Sequence, residues 1–147
     1  MTEQISAAIE IAATPERVWA VLADLPSYPQ WHPVFREASG YLAAGSKITL
    51  TTSHPSSDRT MTAKVTVVTA DPAAELRWVS SVLGLMTSER SFTLSPAGGG
   101  TRLVQAGIYR GWFARFPAKT TDRIRDGFET INQAIKQRAE DVPQAPG

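Results

Sequence analysis

The chain has 147 residues, with 15 basic against 14 acidic side chains and a net charge of +1. That is the size of one ordinary domain, able to bury roughly 70% of its unfolded surface without staples. The absence of cysteine excludes disulfides, thiolate metal sites and cysteine nucleophiles. The mixed charges leave no basic stripe for a nucleic-acid partner. The opening MTEQISAAIEI has no basic n-region and no long apolar run, so no signal peptide is expected. No stretch reaches the roughly 20 apolar residues of a membrane span. A reducing, cytoplasmic setting is the expectation.

Ile5, Ala7, Ile9 and Ile11 alternate with polar or small residues, the period of a half-buried first strand. Thr14-Pro15-Glu16 then opens a helix: threonine caps it, proline suits its first position, and glutamate suits the positive end of its dipole. Val18, Trp19 and Leu22 give that helix an apolar face, and Asp24-Leu25-Pro26 stops it. Ser27 to Pro33 predicts a second short helix or turn, limited by its prolines and continuing through Val34 and Phe35 to Gly40.

From Gly40 to Arg110 the pattern is strand-rich. Ile48, Leu50 and Thr52 share one face. Met61, Ala63, Val65 and Val67 point inward, with Thr60, Thr62, Lys64 and Thr66 outward. Turns are expected at His54–Asp58 and Asp71–Ala74, the second pairing Trp78 with Val65. Leu76, Trp78 and Ser80 follow, then Met86, Ser88, Arg90, Phe92 and Leu94. Ser95 to Gly100 is the strongest loop signal. The last strand carries Leu103, Gln105, Gly107 and Tyr109 on one side. Ile124, Phe128, Ile131 and Ile135 then form one apolar stripe on a helix reaching about Glu140. Pro117 marks its start or a kink. Residues 141–147 read as a flexible tail, leaving 1–140 as one domain. The order of elements predicts an α+β fold: an antiparallel sheet of about six strands, two short helices, and one long C-terminal helix covering the apolar face.

Several segments resemble the SRPBCC superfamily, which includes birch-pollen-allergen-like proteins, lipid-transfer START domains and polyketide cyclases/dehydrases. The resemblance rests on Ile9-Glu-Ile-Ala-Ala-Thr-Pro-Glu-Arg-Val-Trp19, on Ala23-Asp24 followed by Tyr28-Pro-Gln-Trp31, and on Glu75-Leu-Arg-Trp78. Phe92-Thr-Leu94, the Gly-Gly-Thr-Arg-Leu run ending at Leu103, and Gly127-Phe128 with Asn132 complete it. It covers Ile9 to about Glu140. It implies a helix-grip fold: a curved sheet wrapped on the long helix, enclosing a cavity. Trp19 and Trp31 then read as family core residues.

Chemistry is less marked. His32 and His54 lack the further ligands a metal needs, so His32 reads as a partly exposed loop histidine. No nucleophile elbow, phosphate loop or zinc-protease helix is present. Strand parity puts Glu89 outward, and no inward carboxylate pair is expected. The inner face combines apolar Trp78, Phe92, Met61, Leu50, Ile124 and Phe128 with polar Arg90, Gln105, Tyr109, Ser80, Ser88 and Thr52. An apolar pocket with a few convergent polar groups is the pattern of a small-molecule site. No cofactor or metal is expected. Parity pairs Arg90 with Gly107, which would leave space for Arg90 to meet an anionic or carbonyl group, assisted by Gln105 or Tyr109. The alternatives are that Arg90 snorkels to the mouth or is turned outward by a bulge at the glycine. Binding of a hydrophobic small molecule (lipid, polyketide or aromatic metabolite) is the leading reading. A cyclase or dehydratase using Arg90 and Tyr109 is second, and a chaperone-activator-like interaction module third.

Overall fold

The computed structural model describes residues 2–53, 59–82, 86–111 and 116–141. Seven antiparallel strands succeed one another: β1 (Thr2–Ile11), β2 (Phe35–Gly40), β3 (Lys47–Ser53), β4 (Thr60–Asp71), β5 (Glu75–Val82), β6 (Met86–Ala97) and β7 (Gly100–Gly111). They form one sheet in the order β1-β7-β6-β5-β4-β3-β2. Helices α1 (Pro15–Ala23) and α2 (Tyr28–Trp31) lie between β1 and β2, and α3 (Ala118–Asp141) follows β7.

Phe35–Gly40 is a strand where the sequence suggested the trailing end of a turn. Only Ala38 is buried along it, and its pairing with β3 shifts register between Phe35 and Glu37. A strand with one buried residue shows no period of two. The Asp71–Ala74 turn forms as expected, but a bulge at Val68 shifts the β4–β5 pairing. The turn closes on Asp71 paired with Glu75, a register that would set Trp78 opposite Val68; the bulge moves it by one, so Trp78 faces Val67, not Val65. Val67 and Val65 share a face, so the predicted faces survive: Val65 is buried and Lys64 exposed. The turn predicted at His54–Asp58 and the tail beyond Asp141 lie outside the described residues.

Pro117 starts α3 and does not kink it. Its carbonyl accepts from the backbone N–H groups of Thr120 and Thr121, at 3.0 and 3.1 Å. Phe128, Ile131, Ile135 and Ala139 are buried along one stripe, as the spacing predicts. At the far end the Arg17 Nε of α1 donates to the Ala139 carbonyl at 2.7 Å, satisfying one of the acceptors that a helix C-terminus leaves orphaned. Thr14 caps α1 through the Arg17 N–H. Trp19 and Trp31 are half-buried and pack against the main core.

Candidate functional site

The β6–β7 hairpin carries most of the polar side chains predicted to face inward. Gly98 and Gly99 both have positive φ, 55° and 83°, so the turn is a two-residue one of the kind that glycine permits and that fixes register. Leu94 pairs with Leu103, Phe92 with Gln105, Arg90 with Gly107, and Ser88 with Tyr109. The ladder runs unbroken through Arg90, so no bulge turns it outward.

Arg90 lies against the inner face of the molecule. Its guanidinium carbon sits 4.5 Å over the centre of the Phe128 ring. Its Nη1 donates to Gln105 Oε1 at 3.4 Å. Its Nε is buried with no hydrogen-bond partner among the described residues. Burial lowers the Arg90 pKa, and the neighbouring Tyr109 hydroxyl partly opposes that. Gln105 is fully buried. Its Nε2 donates to Asn132 Oδ1 at 3.0 Å, and Asn132 Nδ2 donates to the Ala7 carbonyl at 3.2 Å. One chain of bonds thus runs from the guanidinium, across β7 and α3, to the edge strand β1.

Asn132 was not among the predicted site residues, although a signal existed. It stands four residues after Phe128 and three before Ile135, which places a polar side chain on the buried stripe. Gly107 behaves differently from expectation. A Cβ there would lie 2.9 Å from both Phe128 Cζ and the Tyr109 hydroxyl oxygen. The space above the glycine is filled by two rings, and glycine is what lets them close.

Trp78 and Phe92 are buried with ring centres 5.5 Å apart, and Leu50 is buried beside them in the same core. Ile124 is half-buried and packs with Ile5, Tyr109 and Phe128. Ser80, Ser88 and Thr52 are half-buried. Met61 is a correction: it is 61% exposed and forms no part of the wall. Thr60 to Lys64 are exposed on both faces of β4, so alternation there marks no buried side.

His32 is more constrained than a loop histidine. Its Nδ1 accepts from the backbone N–H groups of Val34 and Phe35, at 3.1 and 3.0 Å, which leaves the ring hydrogen on Nε2. It stacks on Phe35 at 4.4 Å and Tyr28 at 5.4 Å. Burial, then the charge of Arg90, lowers its pKa to about 3, so the ring is neutral. Nothing local in the sequence announces that two backbone amides turn onto the imidazole.

Among the described residues no carboxylate forms an ion pair with Arg90. Glu89 sits between Arg77 and Arg110, at 3.5 and 3.6 Å, on the outer face. Glu3 shares the inward parity of Ile5 and is half-buried, which the sequence reading did not single out; it accepts from Thr121 Oγ1 at 3.4 Å. Among the described residues no three His, Cys, Asp or Glu side chains gather as a metal site. No described helix is long and apolar enough to cross a membrane.

The family model described as "Polyketide cyclase / dehydrase and lipid transport" matches residues 2–140. The chain belongs to this family. Solved structures agree on the fold. The crystal structure of Ara h 8.0201 superposes with a TM-score of 0.77 at 13% identity, covering 97% of this chain and 100% of that one. A START superfamily protein from Mycobacterium smegmatis gives 0.75 at 17%, covering 95% and 99%. The di-domain ARO/CYC StfQ from the steffimycin biosynthetic pathway gives 0.77 at 11%, covering 96% of this chain and 52% of that one. No curated protein matches the chain. This polyketide cyclase/dehydrase and lipid transport family member is thus an SRPBCC protein with a helix-grip fold.

Proposed function

We propose that the protein binds a small, largely apolar molecule (a lipid, polyketide or aromatic metabolite) between the inner face of the sheet and α3. The carrying observation is the mixed inner face. Trp78 and Phe92 sit in one apolar cluster and Phe128 with Ile124 in a second, and Arg90, Gln105 and Tyr109 bring polar atoms beside the second. Family membership points the same way, toward hydrophobic ligands. A cysteine-free chain suits a reducing compartment such as the cytoplasm.

A second reading, a cyclase or dehydratase, is favoured by the guanidinium and phenol lying side by side, which could polarise a carbonyl and pass a proton. Titration with the neutral fluorophore N-phenyl-1-naphthylamine tests the binding reading. Saturable one-to-one binding is expected, with native mass spectrometry of the purified protein reporting any retained molecule. Linear, unsaturable fluorescence together with no retained molecule would overturn it. Turnover of a poly-β-ketone by the pure protein would establish the second reading.

A further inference from the structure

Arg90 is a half-buried cation with a fully buried Nε, and its neighbours are neutral. The Phe128 ring, the Gln105 amide oxygen and the Tyr109 hydroxyl surround it, and none carries a compensating charge. The Gln105 contact is long at 3.4 Å, and the buried Nε has no partner among the described residues. Buried arginines are ordinarily paired, because an unpaired charge in an apolar interior is costly. Among the described residues no carboxylate pairs with Arg90. Glu89, one residue along the strand, points to the opposite face and is held by Arg77 and Arg110. Glu3 is on β1, which β7 separates from β6, and is bonded to Thr121. Arg90 is also held in place: Gln105 is fixed by Asn132, and Asn132 by the Ala7 carbonyl. A side chain that snorkels to water needs no such backing.

We propose that the bound molecule carries an anionic group, a carboxylate or its equivalent, and that Arg90 is the residue that reads it. This rests on the binding reading above and narrows it to amphipathic acids. The ligand supplies the charge that the fold withholds. A forked guanidinium with its Nε free can meet two oxygens of one carboxylate. His32, neutral and with its hydrogen on Nε2, adds no competing cation.

The test compares two probes with the same aromatic frame, 8-anilinonaphthalene-1-sulfonate and the neutral N-phenyl-1-naphthylamine, on the native chain, R90M, R90Q and R90K. The native protein should prefer the sulfonate. R90M and R90Q should each weaken sulfonate binding by about tenfold or more while moving the neutral probe by less than about twofold. R90K, which keeps the charge, should retain part of the preference. Melting temperatures of R90M and R90Q should be no lower than the native value, since an uncompensated buried charge is removed. Equal losses for both probes would overturn the proposal, because Arg90 would then be shaping the wall only. So would an unchanged preference in R90M and R90Q, or a lowered melting temperature with the preference intact. A native protein that binds the neutral probe but shows no preference for the sulfonate sinks this proposal and leaves the binding reading standing. Binding of neither probe, with no molecule retained by the purified protein, sinks both.

Discussion

The two ends of the β6–β7 hairpin are built on the same ladder and do opposite things. Toward the turn, Leu94 and Leu103 face each other and pack with Ile11, Ile131 and Ile135 in an apolar core. Four residues away on each strand the pair is Arg90 and Gly107, with Tyr109 beyond, and polar side chains enter among Ile5 and Phe128. Phe92 opposite Gln105 is the crossing point. The turn end is closed by van der Waals packing. The other end spends four hydrogen-bonding side chains, Arg90, Gln105, Asn132 and Tyr109, in a place where leucines would be more stable. Residues that sacrifice stability in this way mark where a protein does its work.

The contrast can be broken from either side. Truncation at the closed end should have the largest effect. Leu103→Ala should cost about 3–5 kcal/mol, because a fully buried leucine leaves a cavity its neighbours only partly fill. Urea unfolding measures this, and a cost below about 1 kcal/mol would mean that end is not packed. At the polar end the backing matters more than the charge. Asn132→Ala should cost about 1–3 kcal/mol by leaving Gln105 Nε2 and the Ala7 carbonyl unmatched. Arg90→Met should cost nothing by the same assay. If Arg90→Met proves the more damaging of the two, the guanidinium is part of the scaffold.

The smallest expected loss of stability is one of pH. The folded chain holds His32 near 3, against 6.5 as its ordinary value. Below pH 6.5 the unfolded chain takes up a proton that the folded one refuses, so stability falls as pH drops. Between pH 7 and pH 5 that loss should be on the order of 1–2 kcal/mol. An asparagine oxygen can accept the same two backbone N–H groups, so H32N should keep the loop and flatten this part of the profile. Parallel profiles for H32N and the native chain would show that His32 titrates freely in the fold.

What the sequence made legible follows periodicity. The alternation in β5, β6 and β7 gave the faces, and the glycine pair set a register from which the Arg90–Gly107 pairing followed. The spacing of Phe128, Ile131 and Ile135 gave the helix stripe. Failures came where no face is buried along enough of the strand to impose a period, as at Phe35–Gly40 and at Met61. The bulge at Val68 also escaped, because one extra residue leaves no compositional mark. Within the site, the inward parity of Arg90, Gln105 and Tyr109 could be counted. The bond from Gln105 to Asn132 joins residues 27 apart in the chain, and that of Asn132 to Ala7 joins residues 125 apart. No local pattern records such distances. His32 is intermediate: it stacks on Phe35 and Tyr28, three and four residues away, and only the arginine beside it is distant in the chain.

The sheet order has a consequence for how the chain assembles. From β2 to β7 every strand lies beside its predecessor, so those pairings form through short turns. β1 alone is out of sequence: Thr2 pairs with Arg110 and Ile11 with Thr101, and its ladder exists only once β7 does. On a ribosome, the first strand to emerge is the last to find its neighbour. Until then Ile5, Ile9 and Ile11 travel on an unpaired strand, the kind of segment that invites wrong partners. Closing so long a loop is also slow, so β1 joins the sheet after its other strands, and α3 packs across it.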